Sequence, residues 1–180
     1  PRPDTALGMA LVFVLFASVW LAYLSSVSLA PPIDNIEQLT WVRSLQWGYY
    51  KHPPLPTWLL WLPTKAFGLS AAVTYMMGAL CTLASIALMG RLLVTLRGPA
   101  YAAIAVLAAQ CIAYYNARLY YYKHNVVLML ISSVSAWLCW QAFATRRLRW
   151  WLALGLAIGL GALAKYQVAV TVMCVLVFAL

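Results

Sequence analysis

The sequence predicts an all-α polytopic membrane protein with an extracytoplasmic first loop that contains interfacial helices. Of the 180 residues, 66% are hydrophobic and only 8% are charged, whereas about 25% of the residues of an ordinary soluble domain are charged. The mean hydropathy is +0.86. Apolar runs close to the roughly 20 residues that cross a bilayer recur along the whole chain, which excludes a lone signal peptide.

The first predicted span covers residues 5–29 and ends before Pro31 and Pro32, because two prolines cannot continue a helix. Apolar residues then recur at steps of three to four over residues 33–48, which predicts a short amphipathic helix in the membrane interface. Prolines interrupt residues 55–69, so this stretch is interpreted as an interfacial or re-entrant helix.

The remaining spans are predicted over residues 70–93, 100–115, 126–143, 151–164 and 168–180. With the first span they make six, and the first extracytoplasmic loop covers residues 30–69. The chain begins at Pro1 and ends at Leu180 inside an apolar run. We therefore expect residues 1–180 to be the N-terminal part of one transmembrane domain.

The net charge predicts contact with membrane lipids. It is +9, from 12 Lys and Arg residues against 3 acids, and in a soluble protein this excess would suggest nucleic acid. Here the basic residues lie at the ends of apolar runs, without a basic stripe carrying RNA-binding aromatic residues. No nucleic-acid partner is expected.

Orientation depends on the densest basic cluster, Arg146, Arg147 and Arg149, which the positive-inside rule places in the cytoplasm. The two membrane faces receive equal numbers of basic residues, so the total number does not decide the orientation. With this orientation, one group of polar residues maps to the extracytoplasmic face: Asp34, Glu37, Lys51, His52, Arg118, Lys123, His124 and Lys165. Charges at membrane depth tend to mark functional sites, although anchoring of single lysines by snorkelling is the alternative.

Three stretches carry a resemblance to a known group of enzymes. Residues 33–38 and the element Tyr49-Tyr50-Lys51-His52-Pro53-Pro54-Leu55 resemble the first extracytoplasmic loop of polytopic glycosyltransferases. These include the dolichyl-phosphate-mannose protein mannosyltransferases, the lipid A aminoarabinose transferases and the bacterial lipopolysaccharide-core transferases. Residues 116–125 resemble their second loop, and the glycine-containing stretch 151–166 resembles their span ending in Lys-Tyr.

The resemblance implies a GT-C-like fold and transfer of a sugar from a polyprenyl-phosphate donor, with inversion at the anomeric carbon. The acceptor would be a lipid, a glycan or a protein at the outer face of the inner (plasma) membrane, as in synthesis of lipopolysaccharide or another cell-envelope glycan. The implied catalytic acids are Asp34, as general base, and Glu37. The implied site for the donor phosphate or substrate consists of Lys51, His52, Arg118, Lys123, Lys165 and Tyr166.

Three departures bear on cofactors. Many relatives have Asp-Glu where this chain has Asp34-Asn35, an acid where it has Lys51, and an acid near the position of Lys123-His124-Asn125. Hard cations prefer several oxygen ligands, so these losses weaken the case for a divalent metal bound by carboxylates. A divalent metal stays open as a cofactor, none is implied with certainty, and no metal ligands are assigned.

Three alternatives stay open. A transporter or flippase would use the same charges to line a substrate path, but no inverted repeat or matched pair of broken helices is apparent in the sequence. A non-catalytic assembly subunit would use the loop acids for contacts with other proteins. The third alternative is that Asp34 only caps the helix that follows Pro31 and Pro32.

Overall fold

The computed structural model describes the backbone of residues 3–28 and 30–180, and the side chains of residues 14–28 and 30–180. Within these ranges the chain forms eight helices and no β-strand. The helices are α1 (Pro3–Val27), α2 (Ile33–Trp41), α3 (Leu55–Phe67), α4 (Ala71–Arg97), α5 (Pro99–Gln110), α6 (His124–Thr145), α7 (Leu148–Ala164) and α8 (Val168–Ala179). The prediction of an all-helical chain is confirmed.

Two helices end earlier than the sequence predicts. The predicted helix over residues 33–48 ends at Trp41, because the Tyr49 hydroxyl donates to the Ser44 carbonyl and accepts from the Gln46 amide, at 3.2 and 3.1 Å. These bonds hold the chain in a turn. The predicted span over residues 100–115 ends at Gln110, whose carbonyl accepts a bond from the Asn116 side chain.

Two helices of the described chain are long and apolar enough to cross a membrane, α4 with 27 residues and α6 with 22. At 1.5 Å per residue these helices are about 40 and 33 Å long, against a hydrocarbon core of about 30 Å. Shorter apolar helices are Val14–Val27, α5, α7 and α8. The total of six spans stays a prediction.

The described surface exposes many large apolar side chains, while several polar side chains are buried. Thr74, Ser135 and other hydroxyl side chains are buried, whereas Ile104 and Leu156 are 69% and 66% exposed. Large apolar surfaces of this kind require a non-aqueous neighbour. The outward faces of the helices therefore fit contact with lipid.

The helix order brings the long connections to one end of the bundle. α6 packs against α4 on one side and α7 on the other, and the chain reverses at Gly98 and again at Arg146, both of which have positive φ. Residues 30–54, 111–123 and 165–167 lie together opposite these turns, and we call them the loop end. Gly78 lets this end pack closely on α4, since a Cβ at this position would lie 2.5 Å from the Tyr121 carbonyl oxygen.

Candidate active site at the loop end

Asp34 lies in the first turn of α2, where the positive end of the helix dipole favours a carboxylate. The residue that precedes the helix is Pro32, and no side chain makes a capping hydrogen bond there. The Asp34 carboxylate instead pairs with Lys123, with 3.4 Å between Oδ2 and Nζ. The alternative that Asp34 is only a helix cap therefore lacks the hydrogen bond that defines a cap. The side chain is 37% exposed and remains accessible.

Asn35, the next residue, is completely buried and fastens α2 to two other parts of the chain. Its Nδ2 donates to Thr74 Oγ1 at 2.8 Å and to the Tyr120 carbonyl at 3.0 Å, and its Oδ1 accepts from the Tyr122 amide at 3.0 Å. Only an amide side chain of this length supplies both donors and an acceptor. Because Asn35 adjoins Asp34 and Tyr122 adjoins Lys123, these bonds hold the two sides of the ion pair in register.

The buried face of α2 is polar and its exposed face is apolar. Gln38 lies one turn after Asn35, is 1% exposed, and accepts a 2.9 Å bond from Thr57 of α3. On the opposite side Ile33 and Ile36 are 77% and 47% exposed. An amphipathic helix with this arrangement fits the membrane interface, with its polar face towards the protein and its apolar face towards lipid.

The second acid, Glu37, pairs with Lys51 in the loop that follows α2, with 3.1 Å between Oε1 and Nζ. The loop is well ordered at this point, because the backbone N–H and C=O groups of Tyr49 and His52 bond each other at 2.9 and 3.0 Å. The Tyr49 ring also stacks on Trp41 with 5.0 Å between centroids. Because the Lys51 side chain is 52% exposed, this ion pair contributes little to the stability of the fold.

His52 stacks on His124, the first residue of α6, with 3.9 Å between ring centroids and 24° between planes. The edge of Trp41 packs on both rings, at 6.0 and 5.9 Å. The pKa of His52 is lowered, first by burial and then by the charges of Lys165 and Lys51. At neutral pH His52 is therefore an uncharged imidazole, which can exchange hydrogen bonds but adds no positive charge.

The remaining cations surround the segment before α6. Arg118 and Lys123 both lie over the ring of Tyr121, each 5.6 Å from its centroid. This ring is partly desolvated, and burial raises the pKa of the Tyr121 hydroxyl. Lys165, at the end of α7, donates a hydrogen bond to the Asn125 side chain. The cations are thus spread along the loop end rather than gathered around one point.

A cleft of about 370 Å³ lies beside this group, between residues 47–54 and the end of α7. Lys51, His52 and Tyr166 contribute to its walls. The structure thus joins Asp34 to Lys123, Glu37 to Lys51, and His52 to the cleft that Tyr166 lines. Asp34 and Glu37 each contact a separate lysine.

Sequence reasoning missed the buried residues that support these contacts. In the sequence Asn35 stands out only as a missing acid, Gln38 and Thr57 carry no signal of their own, and Tyr122 is one of several tyrosines that could line a sugar pocket or form an interfacial aromatic belt. Tyr122 is completely buried and donates a 2.6 Å hydrogen bond to the Pro56 carbonyl. The signal that was present is the spacing of Asn35 and Gln38, two amides one turn apart on a helix in a largely apolar chain.

The residues present do not fit a divalent cation held by carboxylates. No group of three or more His, Cys, Asp and Glu side chains close enough to bind a metal occurs in the part of the chain that the structure describes. Both described acids are also engaged by lysine ammonium groups, Asp34 by Lys123 and Glu37 by Lys51. Bound cations require several free oxygen ligands, which this arrangement does not supply.

Comparison with known proteins identifies the family. The sequence profile of the dolichyl-phosphate-mannose-protein mannosyltransferase family matches residues 51–180, which is more than two thirds of the chain. Neither the curated proteins nor the solved structures give a significant match. The matched region contains Lys51, His52, the segment around Lys123 and the end of α7, while Asp34 and Glu37 precede it. The chain belongs to the dolichyl-phosphate-mannose-protein mannosyltransferase family and is a membrane glycosyltransferase of the GT-C type.

Proposed function

We propose that this protein transfers a sugar from a polyprenyl-phosphate donor to an acceptor hydroxyl at the extracytoplasmic face of the plasma membrane, with Asp34 as general base. The observation that carries the proposal is the Asp34–Lys123 pair, a partly exposed carboxylate 3.4 Å from a lysine at the loop end. It lies among helices whose outer surfaces are apolar. A donor with a long lipid tail would approach such a site through the bilayer.

The reaction needs a base for the acceptor hydroxyl and positive charge for the departing phosphate. Asp34 takes the proton of the acceptor hydroxyl as its oxygen attacks the anomeric carbon. The bond between that carbon and the phosphate oxygen breaks, and the polyprenyl phosphate leaves with the electron pair. Attack opposite the leaving group inverts the anomeric configuration. Lys123 and Arg118, both packed on Tyr121, lie where they can stabilise the phosphate.

The other predicted site residues take supporting roles in this proposal. Lys165 lies near enough to His52 to lower the pKa of that imidazole, and it contributes a further cation for the phosphate. Glu37, held by Lys51, orients the acceptor rather than removing its proton. His52, uncharged at neutral pH, offers hydrogen bonds to the substrate.

The dense arginine cluster supports the proposed side of the membrane. Arg97, Arg146, Arg147 and Arg149 lie at or beside the turns opposite the loop end, while both described acids lie at the loop end. The positive-inside rule favours the cytoplasm for the arginine-rich turns. The loop end then faces the periplasm or exterior.

The test is turnover of a synthetic polyprenyl-phosphate mannose by the purified protein in lipid nanodiscs, with the Asp34→Asn variant compared to wild type. Loss of a positioned base costs about 10²–10⁴ in rate, and asparagine keeps the size of the side chain, so donor binding should persist. Glu37→Gln is the matched control and should lose much less. Near-normal turnover of Asp34→Asn would exclude it as the base. In sealed liposomes, movement of intact donor across the membrane without chemical turnover would instead indicate a transporter.

A further inference from the structure

The cleft beside the ion pairs has an unusual lining for a surface at the end of a membrane bundle. Trp47, Tyr50 and Tyr166 all contribute to its walls and are 87%, 95% and 76% exposed. Their rings belong to two separate parts of the chain, the loop after α2 and the turn after α7. The cleft therefore presents aromatic faces from two sides, across a volume of about 370 Å³.

The ring of Trp47 is held by contacts with α3. Trp47 packs edge to face on Trp58 of α3, with 5.0 Å between ring centroids. Trp58 in turn donates from Nε1 to the Gln46 carbonyl at 3.0 Å, which fixes the residue before Trp47. An exposed aromatic ring that is fixed in this way can bind a ligand without paying the full entropy of ordering a loop.

The charges around the cleft indicate the kind of ligand. Lys51 lies at its edge but is paired with Glu37, 3.1 Å away, and the Glu37 side chain is 30% exposed and able to accept hydrogen bonds. Arg118 and Lys123, the cations packed on Tyr121, do not line the cleft. The lining thus offers flat apolar faces, tyrosine hydroxyl groups and the His52 imidazole, and its one lysine, Lys51, is paired with Glu37.

This combination matches a sugar ring better than a phosphate or an acyl chain. A pyranose has apolar C–H faces that pack on aromatic rings and a rim of hydroxyl groups that exchange hydrogen bonds. A phosphate would need an unpaired cation, and an acyl chain would leave the polar groups of the lining unsatisfied. The volume lies within the range of about 300–1,000 Å³ that is typical of small-molecule sites.

We propose that this cleft binds a neutral sugar ring of the acceptor, so that the acceptor is a glycan. The assignment rests on the proposed transferase activity and adds the class of acceptor to it. The donor sugar is attached to a phosphate and belongs with Arg118 and Lys123, whereas the cleft receives the ring whose hydroxyl is brought to Asp34. Trp47 and Tyr166 bind its two sides.

Binding can be measured without turnover, by saturation-transfer difference NMR on the full chain in nanodiscs. The probes are methyl α-D-mannopyranoside, methyl α-D-glucopyranoside and methyl β-D-galactopyranoside. We expect at least one of them to bind, and Trp47→Ala and Tyr166→Ala each to weaken its affinity by about five-fold, as loss of one aromatic contact predicts. Tyr101→Ala is the control, because Tyr101 is an exposed aromatic residue on α5, 54% accessible and outside the cleft.

The outcomes separate the explanations. Absence of binding by wild type to all three probes, or affinity unchanged in both cleft variants, would leave the rings as an interfacial aromatic belt and overturn the assignment. Displacement of the bound probe by α-D-mannose 1-phosphate would make the cleft the donor-sugar site instead. Failure of the transferase proposal is recognised separately, by absence of donor turnover from a wild-type protein that binds the glycoside.

Discussion

Replacing Asn35 by alanine should destabilise the protein more than any exposed substitution on α2. The side chain is completely buried, and its removal takes the partner from the buried Tyr122 N–H and from the partly buried Tyr120 carbonyl. The Thr74 hydroxyl is less affected, since it also donates to the Ala71 carbonyl at 2.7 Å. At about 1–3 kcal/mol for an unsatisfied buried group, and less for a partly buried one, the loss is about 1–4 kcal/mol.

The Asn35→Asp variant separates hydrogen bonding from packing. Aspartate keeps the acceptor for the Tyr122 amide but, when ionised, offers no donor to the Tyr120 carbonyl and buries a charge. Burial raises the pKa of such a carboxyl above its unfolded value of about 3.9. The folded protein then binds more protons than the unfolded one, so stability is greatest below that unfolded value and declines as pH rises through the folded pKa.

The assay is thermal unfolding of detergent-purified protein followed by tryptophan fluorescence, at pH 5 and pH 7. Thr40→Ala is the matched control, because Thr40 is on the same helix, exposed, and bonded only to the Ile36 carbonyl of its own turn. It should change stability by no more than about 0.5 kcal/mol. If Asn35→Ala unfolds at the same temperature as Thr40→Ala, the three hydrogen bonds do not fasten α2, and the argument that they align Asp34 with Lys123 fails.

Two further predictions concern topology and protonation. Single cysteines are introduced into a variant without the four native cysteines, and intact cells are treated from outside with a membrane-impermeant maleimide. Tyr50→Cys should react and Arg147→Cys should not, because the loop end is proposed to face outwards and Tyr50 is 95% exposed. The reverse pattern would invert the orientation. In ¹⁵N NMR titrations, the pKa of His52 should lie below 6.5. The Lys165→Gln variant should raise this pKa by removing a positive neighbour, although burial still holds the pKa below its ordinary value. The folded state then binds fewer protons than the unfolded state, so stability declines as pH falls below about 6.5. His124→Phe assigns the two histidine signals, and a His52 pKa that ignores Lys165 would contradict the proximity.

The helices could be predicted from the sequence because apolar runs and prolines act locally. The double proline after the first span and the proline-interrupted stretch after His52 mark boundaries that neighbouring residues decide. Two helices, predicted over residues 33–48 and 100–115, end earlier in the structure than in the prediction. Each ends where a side chain further along the chain forms a hydrogen bond with the backbone. Tyr49 and Asn116 make those bonds, and a periodic apolar pattern contains no information about them.

The candidate site could be predicted only as a list of charged residues at one face. The pairing of cations with acids depends on how α2 is rotated about its axis. Two buried amides, Asn35 and Gln38, set that rotation. Asn35 bonds α4 and the segment before α6, and Gln38 bonds α3. The amphipathic pattern of α2 was recognised from its isoleucines. Burial of its polar side could not be deduced, because in a soluble protein the apolar side would have been buried.

Two of the departures from the family pattern, at positions 35 and 51, fit one change in how the loop end is held together. An acid at position 35 would place a charge in a completely buried position that needs hydrogen-bond donors, and the amide of Asn35 supplies them without that charge. An acid at position 51 would lie against Glu37, whereas Lys51 attracts it at 3.1 Å. Glu37 and Lys51 thus form a matched pair, and reversing one of them alone would place like charges together at the rim of the cleft. The chain joins α2 to its neighbours by amide hydrogen bonds and lysine ion pairs, and this keeps the carboxylate of Asp34 in a fixed and accessible position without a bridging metal ion.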